Sequence, residues 1–139
     1  MQPATQPVPV STKKLWTGRI FSALAILFLL VDGIMKLFSP APVVEGMIRL
    51  GYPLSLTATI GIILLSCVLV YVIPRTSILG AILLTGYLGG AVASQLRVGE
   101  PLFSHVLFPT YMAALIWGGL YLRDDRLRAL IPIRDAGTI

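Results

Sequence analysis

Charge is scarce in this chain. Asp, Glu, Lys and Arg make up 12% of its 139 residues, about half the share usual in soluble globular domains. There is one histidine and one cysteine. A single cysteine forms neither an intrachain disulfide nor a Cys-x-x-Cys pair, which excludes thiol–disulfide exchange within the chain and leaves no Fe–S ligand set. Cys67 lies inside an apolar run and reads as a small buried hydrophobe. One histidine gives no haem-type pair, and the scattered carboxylates have no metal-ligand spacing. There is no Gly-x-Ser-x-Gly elbow and no flavin fingerprint, so neither a hydrolase nor a resident flavin is indicated. The net charge is +5, but the basic residues flank apolar runs and form no block or stripe, so no nucleic-acid partner is expected.

Apolar sequence is what the chain has in abundance. Hydrophobic residues reach 56% and the mean hydropathy is +0.87. Several runs approach the ~20 residues needed to cross a bilayer core. The pattern predicts an all-α membrane protein, a four-transmembrane-helix bundle with spans at about 15–38, 54–73, 78–96 and 102–122. Together they make one membrane domain, 15–122. Between the first two spans, VVEGMIRL is long enough for two turns of a short amphipathic helix, ended by Gly51 and Pro53. Pro74 ends the second span before a tight turn, and Pro109 should kink or loosen the fourth. Residues 1–14, rich in Pro, Gln and Thr, are expected to be a disordered tail. The first span is long for a signal h-region and carries Asp32 and Lys36, so it reads as a retained helix. Residues 123–139 form a charged, partly amphipathic tail expected at the membrane surface.

Lys and Arg set the expected orientation. With the N-terminus inside, the inner set is Lys13, Lys14, Arg19, Arg75, Arg123, Arg126, Arg128 and Arg134, against Lys36, Arg49 and Arg97 outside. That bias predicts both termini in the cytoplasm. Trp16, Tyr71, Trp117 and Tyr121 fall near the inner ends, as an aromatic belt would.

The polar residues then gather at the other side. With a rise of 1.5 Å per residue, Asp32 lies roughly 20 Å above Arg19, and Lys36 about 25 Å. Asp32 is thus submerged, while Lys36 is near enough to the outer surface to snorkel. The pair shares a face with Gly18, Ser22, Ala25 and Leu29, a seam expected to point into the bundle. Glu45 and Arg49 make a second i, i+4 pair on the short helix. Gln95, Arg97, Glu100 and His105 fall at the same level, and Tyr87 offers a ring wall. These nine residues are the candidates for an outward-facing polar pocket. The inner half shows almost nothing polar between helices. Gly86 with Gly90, and Gly89 with Ala93, have the small-xxx-small spacing of close helix contact.

The blocks DGIMKL, LGYP, PRTSILGAILLTGYLGGAVASQLRVGEPLFSHVLFP and WGGLYLRDDRLRALIP resemble the DoxX-like family of small bacterial membrane proteins, over nearly all the chain after about residue 15. The resemblance implies a four-helix bundle in the bacterial inner membrane. It also implies a link to membrane redox work, since relatives serve as the small subunit of a thiosulfate:quinone oxidoreductase or as partners of oxidative-stress enzymes. It supplies no catalytic residues and assigns no reaction. Three functions are therefore expected, in this order. The first is an accessory redox protein that binds a quinone or similar amphipathic molecule in the outer pocket, with Asp32 and His105 exchanging protons and Lys36 or Arg97 holding an anionic head. The second is a non-enzymatic assembly protein that docks a redox or other membrane protein. The third is a small anion transporter, which would require a homo-oligomer.

Overall fold

The structure is a computed structural model, and it describes residues 12–131. Six α-helices follow one another: α1 (Thr12–Phe38), α2 (Ala41–Leu50), α3 (Thr57–Val72), α4 (Ser77–Arg97), α5 (Phe108–Arg123) and α6 (Asp125–Leu130). No strand occurs among the described residues. Short 3₁₀ turns at Leu54–Leu56 and Pro74–Thr76 lead into α3 and α4, and a π-helical turn at Leu102–Val106 leads into α5. Four stretches are long and apolar enough to cross a membrane: Thr12–Phe38, Leu54–Val72, Pro74–Arg97 and Leu102–Arg123. The shortest has 19 residues, or about 28 Å of helix. The protein is an integral membrane protein whose outer faces, such as Leu27 at 62% exposed and Leu69 at 63%, are built for lipid.

The expected short helix is α2. Of the expected tails, residues 1–11 and 132–139 lie outside the described residues, while residues 12–14 form the first turn of α1. Pro109 does not kink a helix. It sits in the first turn of α5, where its missing N–H leaves no bond unmade.

The long helices form a ring in which α1 and α4 each pack against α3 and α5, so α1 and α4 face each other across the bundle. The core is apolar and continuous, from Ala25 and Leu29 through Leu64, Leu84 and Ile116 to Leu127 on α6. Between helices in lipid there is little hydrophobic drive, so close dispersion contact must supply the cohesion. Small residues supply it at three seams. Gly18 and Ser22 on α1 meet Gly119 on α5, Gly33 meets Gly61 on α3, and Gly80 on α4 rests against the Tyr71 backbone. A Cβ on Gly80 would lie 2.3 Å from Tyr71 Cα.

The α4 glycines are different, and here the expectation fails. A Cβ built on Gly86, Gly89 or Gly90 would meet nothing within 4 Å. Among the described residues these glycines bring no helices together. Their bare backbone faces open space, because the tight α3–α4 contact is made one and a half turns earlier, at Gly80.

A second expectation also fails. The end of the bundle where the described chain begins and finishes holds a buried polar network. Arg123 Nε donates to Ser22 Oγ at 3.1 Å, Ser22 and Tyr71 share a bond of 2.9 Å, and the Tyr71 hydroxyl donates to the Ile116 carbonyl at 3.1 Å. One proton assignment satisfies all three: Tyr71 donates to Ile116, so Ser22 donates to Tyr71 and accepts from Arg123. The Arg123 guanidinium also lies 5.6 Å from the Tyr71 ring centre. Tyr71 is fully buried, so it is a core residue and no part of an aromatic belt.

Candidate functional site

Two glycine-terminated helices shape the opposite end. At the end of α2, Gly51 takes φ 79°, its N–H reaches Ile48 O, and the Tyr52 N–H reaches Met47 O. This is a Schellman stop, in which glycine accepts the left-handed conformation at no steric cost. Gly99 repeats it after α4, with φ 74° and the Gly99 and Glu100 N–H groups on Leu96 O and Gln95 O. Each stop throws its next residue toward the other helix. Tyr52 bonds Ser94 at 2.5 Å, and Glu100 pairs with Arg49 at 3.3 Å. Arg97 completes the clamp by donating to the Leu50 carbonyl. These three contacts strap α2 across the end of the bundle, with Met47 turned inward and buried.

Beneath the strap, between α1 and α4, lies a cavity of about 500 Å³. Its walls are mostly apolar, with Phe28, Leu29, Ile63, Met47, Phe108 and Met112 among them. Phe28 and Phe108 form a tilted ring pair with centres 4.9 Å apart. Gly86 and Gly90 line it too, so the side chains that α4 omits are part of what makes the space. The polar lining is Asp32, Lys36, Tyr52, Tyr87, Ser94 and Gln95. Lys36 Nζ sits 2.5 Å from Asp32 Oδ2, one helical turn away on the same face.

The nine sequence candidates therefore separate. Asp32, Lys36, Tyr87 and Gln95 meet around the cavity, while Glu45, Arg49, Arg97, Glu100 and His105 do not line it. Arg49 pairs with Glu100 instead of Glu45, because the Gly99 stop delivers Glu100 to it. Arg97 and Glu100 are parts of the strap. His105 is exposed, with Nδ1 against the Ser104 hydroxyl. Within the pair Lys36 is the more covered, its side chain 16% exposed against 36% for Asp32. Lys36 lies over Gly61, whose missing Cβ gives its stem room, while Asp32 opens into the cavity. Asp32 is also near enough to Tyr87 for the two to interact electrostatically.

Sequence reasoning missed Tyr52 and Ser94. Gly51 and Pro53 mark the end of the short helix, and the tyrosine between them is the available signal, since a Schellman stop aims the residue after the glycine back at the fold. Among the described residues no group of three or more His, Cys, Asp or Glu could hold a metal ion.

The model of the DoxX-like family matches residues 20–119, so the chain belongs to that family. No curated protein and no solved structure matches the chain.

Proposed function

We propose that this DoxX-like protein binds a small amphipathic molecule, a quinone being the leading candidate, in the cavity under α2, as an accessory component of membrane redox chemistry. The observation that carries the reading is the cavity itself. Its size, its apolar walls and its few converging polar groups are the usual makings of a small-molecule site. Two observations support an occupant drawn from the bilayer. The walls include aromatic rings at Phe28 and Phe108, suited to a flat or chain-like apolar body. The polar groups cluster toward the α2 end, where a membrane amphiphile would keep its head. The redox assignment comes from the family resemblance, and electrons would pass through the bound molecule and a partner protein. The charge bias supports an arrangement with both termini in the cytoplasm and the α2 end on the outer side of the inner membrane.

The test is extraction. Protein purified in mild detergent is stripped of bound small molecules, which are identified by mass spectrometry beside Asp32→Asn and Gly90→Leu. Gly90 lines the cavity and a Cβ built there meets nothing within 4 Å, so a leucine is expected to take up cavity space. A co-purifying amphiphile depleted in both variants supports the reading. Empty wild-type protein that also fails to bind added decyl-benzoquinone overturns it.

A second reading has its own observation. Phe38 is 81% exposed and Phe103 75%, and both stand at the α2 end, where a non-enzymatic assembly protein would dock a membrane partner. Crosslinking from these two positions to one reproducible protein, with an empty cavity, would favour it.

A further inference from the structure

We infer that the occupant of the cavity has an uncharged polar head, received by Tyr87 and Gln95 and by no cation. This deepens the reading of the cavity as a small-molecule site and rests on it.

The charged groups of the lining and the arginines of the strap are already spoken for. Asp32 and Lys36, the charged side chains in the lining, neutralise each other at 2.5 Å. Arg49 is paired with Glu100, and Arg97 donates to the Leu50 carbonyl. Neither arginine lines the space, nor do Glu45 and His105. A sulfonate, phosphate or carboxylate head would thus find no free cation, and the more open member of the ion pair is the carboxylate, which repels it. An ammonium head would have to take Asp32 from Lys36 and leave a largely buried cation alone. Bringing net charge into apolar surroundings without a partner costs several kcal/mol.

The unspent capacity is neutral. Ser94 donates to the Gly90 carbonyl at 2.9 Å, so in the Tyr52–Ser94 bond the tyrosine is the donor, and both hydroxyl protons are committed. Tyr87 and Gln95 differ. Among the described residues neither the Tyr87 hydroxyl nor the Gln95 amide has a hydrogen-bond partner, yet both residues line the cavity. They stand eight residues apart on α4, roughly 12 Å along its axis, Tyr87 within electrostatic reach of Asp32 and Gln95 nearer the helix end that Gly99 terminates. A carbonyl or hydroxyl oxygen accepts from either donor and brings no charge, which is the chemistry of an alcohol, ketone or quinone head.

Three photoactivatable amphiphiles with the same diazirine chain test this, with hydroxyl, sulfonate and trimethylammonium heads. Each is crosslinked to the full chain in nanodiscs, and cavity labelling is measured by peptide mapping relative to lipid-facing residues of α1 in the same sample. The alcohol should label the cavity at least about tenfold over both ions, a difference of ~1.4 kcal/mol. Tyr87→Phe with Gln95→Leu should remove that preference while leaving the thermal midpoint near wild type. Equal or stronger labelling by either ion overturns the neutral-head inference and leaves the cavity reading standing. Undiminished alcohol labelling in the double variant overturns the assignment of the two donors. If no probe reaches the cavity, the reading of it as a site fails, and the inference with it.

Discussion

Two glycine-to-alanine changes in the same helix should move stability in opposite directions. Gly80→Ala places a methyl 2.3 Å from both Tyr71 Cα and N, where carbon atoms at ease sit about 3.5–4.0 Å apart. Helices α3 and α4 must therefore part by roughly 1 Å at this seam. Tyr71 gives little, since its hydroxyl bonds Ser22 on α1 and the Ile116 carbonyl on α5. Overpacking of this kind costs about 1–3 kcal/mol, and a backbone contact belongs near the top of that range. Gly90→Ala meets nothing within 4 Å. Both changes gain the same helix propensity, up to about 1 kcal/mol, so it cancels between them and the difference isolates the contact. Gly80→Ala should fall below Gly90→Ala by about 1–3 kcal/mol, with Gly90→Ala at or above wild type. Thermal midpoints in mild detergent, backed by mixed-micelle denaturation, measure this. A stable Gly80→Ala or a destabilised Gly90→Ala would refute the division of the glycines into seam and cavity.

Tyr71→Phe deletes both bonds of the central hydroxyl and should cost on the order of 1 kcal/mol, the scale of interhelical hydrogen bonds in membranes; an unchanged midpoint would mean the network carries no stability. Asp32→Asn leaves Lys36 without a counter-charge, at a cost of up to about 2.5–3.5 kcal/mol in an apolar span, reduced by the opening of the cavity. Adding Lys36→Met should recover most of that loss, and a double variant less stable than the single would contradict the pair's mutual neutralisation. Thr57 Oγ1 is buried with no partner, so the isosteric Thr57→Val removes an unsatisfied group and should leave stability equal or higher, as read by the same melt. At the foot of the bundle, burial alone would raise the Asp124 carboxyl, but hydrogen bonds from the Arg126 side chain and backbone N–H outweigh it and hold the group below its ordinary value. A depressed folded value means this stabilisation is present above the ordinary carboxyl range, about pH 4, and is lost as pH falls through it. Protection of α6 amides, with the intrinsic pH dependence of exchange divided out, should therefore fall below about pH 4, and Asp124→Asn should reduce that fall.

The spans were legible because a bilayer allows few solutions. A backbone in hydrocarbon must satisfy itself, so long apolar runs become helices, and Pro74 and Gly51 mark stops by local chemistry alone. Asp32 and Lys36 were legible for the same reason, since charge in an apolar run is conspicuous. What the sequence hid depends on which helices meet. The spacing of Gly86 and Gly90 is that of a contact motif, and only the path of α3 decides that Gly80 takes the contact and leaves them bare. Arg49 has an acid four residues before it, yet its partner lies fifty-one positions away, brought there by the Gly99 stop. Ser22, Tyr71 and Arg123 come from three helices, and no local pattern links them.

The two ends of the bundle differ in what they leave unfinished. At the end where the described chain begins and finishes, each polar group of the Ser22–Tyr71–Arg123 network has a partner, the closest glycine seams are there, and Arg126 bonds the Pro74 carbonyl at 2.8 Å to fasten α6. Such an end has one arrangement and little reason to change it. At the α2 end the strap rests on the part-buried Tyr52–Ser94 bond and on two contacts at exposed positions, Arg49 to Glu100 and Arg97 to Leu50, and solvent-exposed ion pairs contribute ~1 kcal/mol or less. Below it, Tyr87 and Gln95 stand without partners beside bare glycine backbone. Among the described residues Thr57 Oγ1 is the buried side-chain polar atom that lacks a partner, so the Tyr87 hydroxyl and the Gln95 amide stay open to the cavity and free to bond what enters it. A bundle built only to cross the membrane would lose nothing by carrying Leu at position 90 and Phe at position 87. Gly90 and Tyr87, beneath the strap, are therefore the positions at which the proposed binding at the α2 end is tested.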